Sequence, residues 1–208
     1  MIAVNSPPVP EEEQFSEDDL VPVEARLPPP LKPPRTIVLV GLMGAGKTNI
    51  GRRLAALLDL PFKDADAEIE AAADETIEEI FSNRGEAAFR EGEARVMARL
   101  LEEPVHVLST GGGAFMDKET RALIRERGIS VWLRADIDIL LARVARRSNR
   151  PLIKQGDPRE VLEKLIAQRY PIYAEADIIV DSLDAPAEST VASVVEALLH
   201  YVASHHDR

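Results

Sequence analysis

Several groups of residues in this 208-residue chain have types and spacings suited to chemistry. The first is Gly41-Leu42-Met43-Gly44-Ala45-Gly46-Lys47-Thr48, which fits G-x-x-x-x-G-K-[ST]. Glycines let the backbone turn tightly and aim bare N–H groups at phosphate oxygens. A lysine here reaches β- and γ-phosphates, and the hydroxyl after it can ligate Mg²⁺. A glycine-rich turn that binds nothing would look similar, so the flanks matter. Thr36 to Val40 is an apolar, β-branched run that predicts a buried strand. Ile50, Leu54, Leu57 and Leu58 recur at helical spacing after the motif. A strand before and a helix after is the setting that phosphate binding needs, because the helix N-terminus adds its positive dipole end.

The second group is Asp64-Ala65-Asp66. Two carboxylates two apart share a face in an extended segment. Beside a triphosphate, one could hold the Mg²⁺ shell and the other face an accepting hydroxyl. Asp66 could equally cap the next helix. The third group is Gly111-Gly112-Gly113. Three successive glycines cost backbone entropy and bring no packing, which suits a main chain that another molecule approaches closely. The fourth is Glu86, Arg90 and Glu93, four and three apart and therefore on one helix face. An ion-paired, solvated face would show the same spacing. Gly92 in that helix costs about 1 kcal/mol relative to Ala, which suggests a close approach there. Arg146, Arg147 and Arg150 cluster in or beside a stretch, 147–157, that reads as a mobile lid over transferring charge. Arg169, just before Pro171, could simply be a helix-end cation.

The elements that must position these groups alternate. Strands are expected at Thr36 to Val40, Phe62 to Asp64, Val105 to Ser109, Ile129 to Leu133 and Asp177 to Val180. Helices are expected at about 47–58, from near Asp66, from Thr76 to Gly85, at 86–102, from Asp117 through Arg127 and from Asp136 to about Arg146. Two more follow, one from Asp157 that breaks at Pro171, the other from Pro186 to about Ser204. Thr76-Ile77-Glu78-Glu79 has capping-box spacing, and Asp157-Pro158 is a strong helix start. Such alternation predicts an α/β three-layer fold on a parallel sheet, with its ligand at the carboxyl ends of the strands. There is no internal repeat.

Residues 1–35 differ from the rest. They hold nine of the fifteen prolines, none of the eleven glycines, and seven acids against three bases. That composition predicts a disordered, Pro-rich acidic tail, with the folded domain spanning 36–208. Zero cysteines and the lack of a basic, apolar leader or an Arg-rich transit segment lead to the expectation of a cytoplasmic protein. No apolar run approaches the roughly 18 residues that span a bilayer. A net charge of −11 argues against nucleic acid as a general partner.

Together these residues resemble the shikimate kinases. The resemblance rests on GLMGAGKT at 41–48, the Asp-x-Asp at 64–66 and FSNRGEAAFREGE at 81–93. It extends to Gly111-Gly112-Gly113-Ala114, Arg150-Pro151-Leu152 and Arg169-Tyr170-Pro171-Ile172-Tyr173. It covers about residues 36–200. It implies a P-loop kinase core with sheet order 2-3-1-4-5, and ATP-dependent phosphorylation of the 3-hydroxyl of shikimate on the way to chorismate. It implies ATP as co-substrate with Mg²⁺; with the charge and the lack of an apolar run noted above, the expectation is no nucleic-acid or membrane partner, and a monomer. By position, Lys47 and Arg150 would contact the transferring phosphoryl within a nucleotide site of Gly44, Ala45, Gly46, Lys47, Thr48 and Asn49. Arg147 and Pro186 would flank adenine. Thr48 would bind Mg²⁺ directly and Asp64 through water. Asp66 would hold the accepting hydroxyl and act as base, and Arg90 and Arg169 would grip the carboxylate. Glu93, Gly112 and Gly113 would complete the substrate end. Asn49 departs from the family's usual Thr or Ser.

Two other readings are a gluconate kinase of similar build and a nucleotide-binding switch. The triple glycine and Phe89-Arg90 count against the first. A pair of carboxylate-gripping arginines beside an aspartate counts against the second.

Overall fold

A computed structural model describes residues 32–145 and 157–205. The expected lid, 147–157, therefore lies outside the described residues up to Asp157, as do Arg146, Arg147 and Arg150. The compact unit that carries the sheet begins at Lys32. Arg35 is anchored in it, donating to the Arg125 carbonyl at 3.0 Å and to the Tyr201 hydroxyl at 3.2 Å.

The five strands are β1 (Thr36–Val40), β2 (Phe62–Asp64), β3 (Val107–Ser109), β4 (Gly128–Arg134) and β5 (Ile178–Asp181). They form one parallel sheet in the order β2-β3-β1-β4-β5. Every residue of β1 is buried, which requires cover on both faces and explains its unbroken apolar run. The helices are α1 (Lys47–Leu57), α2 (Ala65–Ala73), α3 (Ile77–Leu100), α4 (Lys118–Arg127), α5 (Ile137–Ala145), α6 (Pro158–Tyr173) and α7 (Ala187–Ser204). α7 lays Val191, Val194 and Leu198 inward and packs beside α1. Four helices start on side-chain caps: Asp64 on Asp66, Thr76 with Glu79 as a full capping box, Asp117 on Thr120 and Asp157 on Arg159.

Sheet register does the positioning. Asp64 pairs with Ser109, and Ser109 pairs with Leu39. The ends of β2, β3 and β1 therefore lie in one row, from which the phosphate loop, the aspartate pair and the triple glycine all emerge.

The structure departs from the sequence expectations at four places. Helix α2 begins at Ala65, and its cap is Asp64, whose carboxylate accepts from the Asp66 N–H at 3.2 Å. Asp66 is thus in the first turn, not in an extended segment, and is not the cap. Strand β3 starts at Val107, because the His106 N–H goes to the Thr36 hydroxyl and the ladder begins only at the His106 carbonyl and the Val107 N–H. Helix α6 runs through Pro171 to Tyr173. Proline there removes one intrahelical bond near the end, while buried Tyr173 and half-buried Tyr170 pack the last turn against Trp132. Lastly, a methyl on Gly92 would meet none of the described residues within 4 Å, so none of them is the close neighbour expected there. The expected stop at Gly85 is real: its φ of 81° and ψ of 173° interrupt α3.

Candidate active site

The phosphate loop links β1 to α1, and three of its glycines need positive φ: Gly41 at 141°, Gly44 at 84° and Gly46 at 95°. Any other residue would be strained there. The Lys47 ammonium donates to the Gly41 carbonyl at 2.8 Å and to the Leu42 carbonyl at 3.1 Å, which folds the side chain back over its own loop. The Thr48 hydroxyl donates to Asp64 at 2.8 Å and lies 3.4 Å from the Ser109 hydroxyl. Three oxygen-bearing side chains from α1, β2 and β3 thus meet beside the loop, a donor set suited to a hard cation.

A cavity of about 400 Å³ opens on the α1 side of the loop. Gly44, Gly46, Lys47, Thr48 and Asn49 line it, together with Arg143, Asp184, Ala185 and Ala187. Ala45 is buried within the loop. Pro186 sits at the start of α7 between two lining residues. Asn49 is exposed and accepts a hydrogen bond from Arg53.

Arg143 is a residue that the sequence did not single out. Its guanidinium donates to the Ser182 hydroxyl at 2.8 Å, to the Leu183 carbonyl at 2.5 Å and to the Gly44 carbonyl at 3.4 Å. Ser182 in turn donates to the Ala45 carbonyl at 3.0 Å. Arg143 therefore ties the phosphate loop to the segment after β5. Its position three after Leu140 and one before Val144, both buried, was the available signal.

A second cavity, about 450 Å³, lies on the α3 side. Asp66, Arg90, Glu93, Arg169 and all three glycines of 111–113 line it, with Phe81 and Phe89 forming an apolar edge at a centroid separation of 4.7 Å. The triple glycine is the surface against which the charged groups pack. A methyl on Gly111 would lie 2.7 Å from Glu93 Oε1 and 2.8 Å from Asp66 Oδ1. One on Gly113 would collide with the Arg90 guanidinium. One on Gly112 would lie 3.2 Å from Arg169 and 3.7 Å from the Gly41 carbonyl oxygen, so this wall also abuts the phosphate loop.

Arg90 donates to Glu93 at 2.6 Å and to Glu86 at 3.3 Å, as their spacing on one helix face predicts. Glu93 is 3 % exposed, and its Oε1 has no hydrogen-bond partner among the described residues. Burial pushes its carboxyl above the usual carboxylate range; the charge and hydrogen bond of Arg90 pull it back, and the charge of Asp66 adds to the rise. Arg169 donates to the Gly112 carbonyl at 2.8 Å, which places it at the wall of the cavity, beyond a helix-end role.

The chain is similar to known proteins. The family model described as shikimate kinase matches residues 43–199. A shikimate kinase of Paramagnetospirillum magneticum is 61 % identical over 168 residues, covering 81 % of this chain and 86 % of that protein. One from Caulobacter vibrioides is 55 % identical over 181 residues, covering 87 % and 86 %. Among solved structures, a shikimate kinase from Acinetobacter baumannii in complex with shikimate is 38 % identical with a TM-score of 0.77, covering 80 % of this chain and 93 % of that one.

Proposed function

The chain belongs to the shikimate kinase family, and from that premise we propose how its two cavities divide the work. The protein is a kinase that uses ATP to phosphorylate the 3-hydroxyl of shikimate, a step in aromatic amino-acid biosynthesis. In our reading the cavity beside α1 takes the nucleotide and the cavity beside α3 takes shikimate. The observation that carries it is the convergence of Arg90, Arg169 and Asp66 on the triple glycine, directly beside the phosphate loop.

Shikimate bears one carboxylate and several hydroxyls. Arg90 and Arg169 supply guanidinium forks for the carboxylate. Asp66 accepts the proton of the attacking hydroxyl. Glu93 holds Arg90 in place, and Gly112 and Gly113 offer main-chain N–H groups. On the other side, the amides of Gly44, Ala45, Gly46, Lys47, Thr48 and Asn49 cradle phosphate. Lys47 leaves its loop carbonyls for the transferring phosphoryl, where charge builds. Arg150 and Arg147, outside the described residues, are assigned to that phosphoryl and to adenine, the latter with Pro186.

The oxygens of Thr48 and Asp64 fit Mg²⁺, Thr48 directly and Asp64 through water. The ion would neutralise phosphate charge as the bond to the leaving group breaks. We also propose a monomeric, cytoplasmic enzyme whose catalytic domain takes in residues 36–208 together with the short lead-in from Lys32 that Arg35 anchors. No helix among the described residues is long and apolar enough to cross a membrane.

The test is shikimate-dependent ADP release, with gluconate and AMP offered in parallel. ADP release with shikimate alone is expected. Turnover of gluconate or AMP without turnover of shikimate would overturn the assignment of the second cavity.

A further inference from the structure

Gly112 is held from one side by two residues of α6. Its carbonyl oxygen accepts from Arg169 and also from the Tyr173 hydroxyl. One carbonyl has two lone pairs, so these two donors saturate it. Arg169 and Tyr173 are four apart, one helical turn, so they reach the same atom from the same face. Tyr173 is 0 % exposed. Its ring is fixed by Trp132 of β4 at 5.9 Å and by Phe115, just after the triple glycine, at 6.4 Å.

A trans peptide puts its C=O and its N–H on opposite sides. Pulling the Gly112 carbonyl toward α6 therefore turns the Gly113 N–H away from α6. Neither the Gly112 N–H nor the Gly113 N–H makes a hydrogen bond among the described residues. Both glycines line the acceptor cavity.

We propose that Tyr173 is a positioning residue of the acceptor site: with Arg169 it fixes the Gly112–Gly113 peptide so that its N–H is presented to shikimate. The inference rests on the reading that this cavity binds shikimate. Tyr173 also relieves Arg169. With the carbonyl held by two donors, Arg169 can turn its remaining N–H groups to the substrate carboxylate without releasing the glycine wall. Burial pushes the Tyr173 phenol up to about 12, against the charge and hydrogen bonding of Arg169. The hydroxyl therefore remains a donor throughout the working range of the enzyme.

Tyr173→Phe keeps the ring and deletes only the donor. In steady-state kinetics on the whole chain, with shikimate and ATP varied separately, it should raise the shikimate KM about two- to tenfold. The ATP KM should stay at its wild-type value, and kcat should change less than KM. Tyr173→Leu removes the ring as well and should add a lower Tm to the same KM effect. A wild-type shikimate KM in Tyr173→Phe would overturn the proposal, as would an equal rise in both KM values.

The wild-type protein supplies a second measurement that does not depend on how the variants fold. The Gly113 amide resonance should shift on shikimate addition, and an unmoved Gly113 amide at saturating shikimate would overturn the proposal. Wild-type protein that releases no ADP with shikimate would instead refute the underlying reading of the cavity.

Discussion

The Thr48 hydroxyl donates to Asp64 at 2.8 Å, joining the first turn of α1 to the end of β2. The same carboxylate accepts the Asp66 N–H through its other oxygen and starts α2. One side chain thus connects the proposed cation site to the residue assigned as base.

Asp64→Asn separates the two duties. Asparagine caps a helix as well as aspartate does: its carbonyl can take the oxygen position that accepts from Asp66, and its amide NH₂ then donates to the Thr48 hydroxyl. What it lacks is charge and the second acceptor oxygen. The Mg²⁺ concentration for half-maximal activity should rise about 10- to 100-fold, the usual cost of losing a group that supports a metal ligand. The Tm should stay at its wild-type value. A wild-type Mg²⁺ requirement would remove Asp64 from the cation site.

Arg169→Lys keeps the charge and loses the planar fork. A charge-assisted hydrogen bond contributes about 1.5–3 kcal/mol, so shikimate use should weaken roughly ten- to a hundredfold. ATP affinity should barely move, because the residue lies against Gly112 on the acceptor side. Kinetics close to wild type, with folding confirmed by circular dichroism, would reduce Arg169 to a helix-end cation.

Glu93 gives a prediction in pH. Burial raises its folded-state pKa, so the folded chain binds this proton more tightly than the unfolded chain. Its contribution is fully present below the unfolded value, ~4.3 for glutamate. It is lost as pH rises through the higher folded value. Glu93→Gln cannot titrate. The wild-type Tm should therefore fall relative to that of Glu93→Gln as pH is raised above ~4.3. A wild-type advantage that grows with pH across this range would contradict the sign.

Much of this arrangement was legible in the sequence where the causes are local. The β-branched run at Thr36 to Val40, the caps at Thr76, Asp117 and Asp157, and the break at Gly85 are all decided within a few residues. The spacing of Glu86, Arg90 and Glu93 likewise yields the observed ion pairs. What the sequence withheld is set by partners far along the chain. Arg143 meets Ser182 and Gly44, 39 and 99 positions away. Gly112 is gripped by Arg169 and Tyr173, 57 and 61 positions away. Pro171 stops a helix by local rules, yet tertiary packing of its neighbouring tyrosines carries α6 onward. The triple glycine was legible as a place of close approach, but not that the protein's own Asp66, Glu93 and Arg90 are what approach it.

For thermostability engineering, the glycines of this chain fall into two classes. Replacing glycine by alanine usually stabilises a protein, because the unfolded chain loses freedom. Gly92 qualifies: it lies inside α3, a methyl there meets none of the described residues within 4 Å, and Gly92→Ala should add about 1 kcal/mol. A raised Tm with unchanged kinetics is the outcome to look for. Gly113 offers a backbone φ of −100°, which alanine adopts without strain, yet its methyl would occupy the place of the Arg90 guanidinium. Entropic rigidification of the acceptor wall is thus closed to a designer by volume alone, and the floppiness of that stretch in the unfolded chain is the standing cost of a cavity shaped by absent side chains.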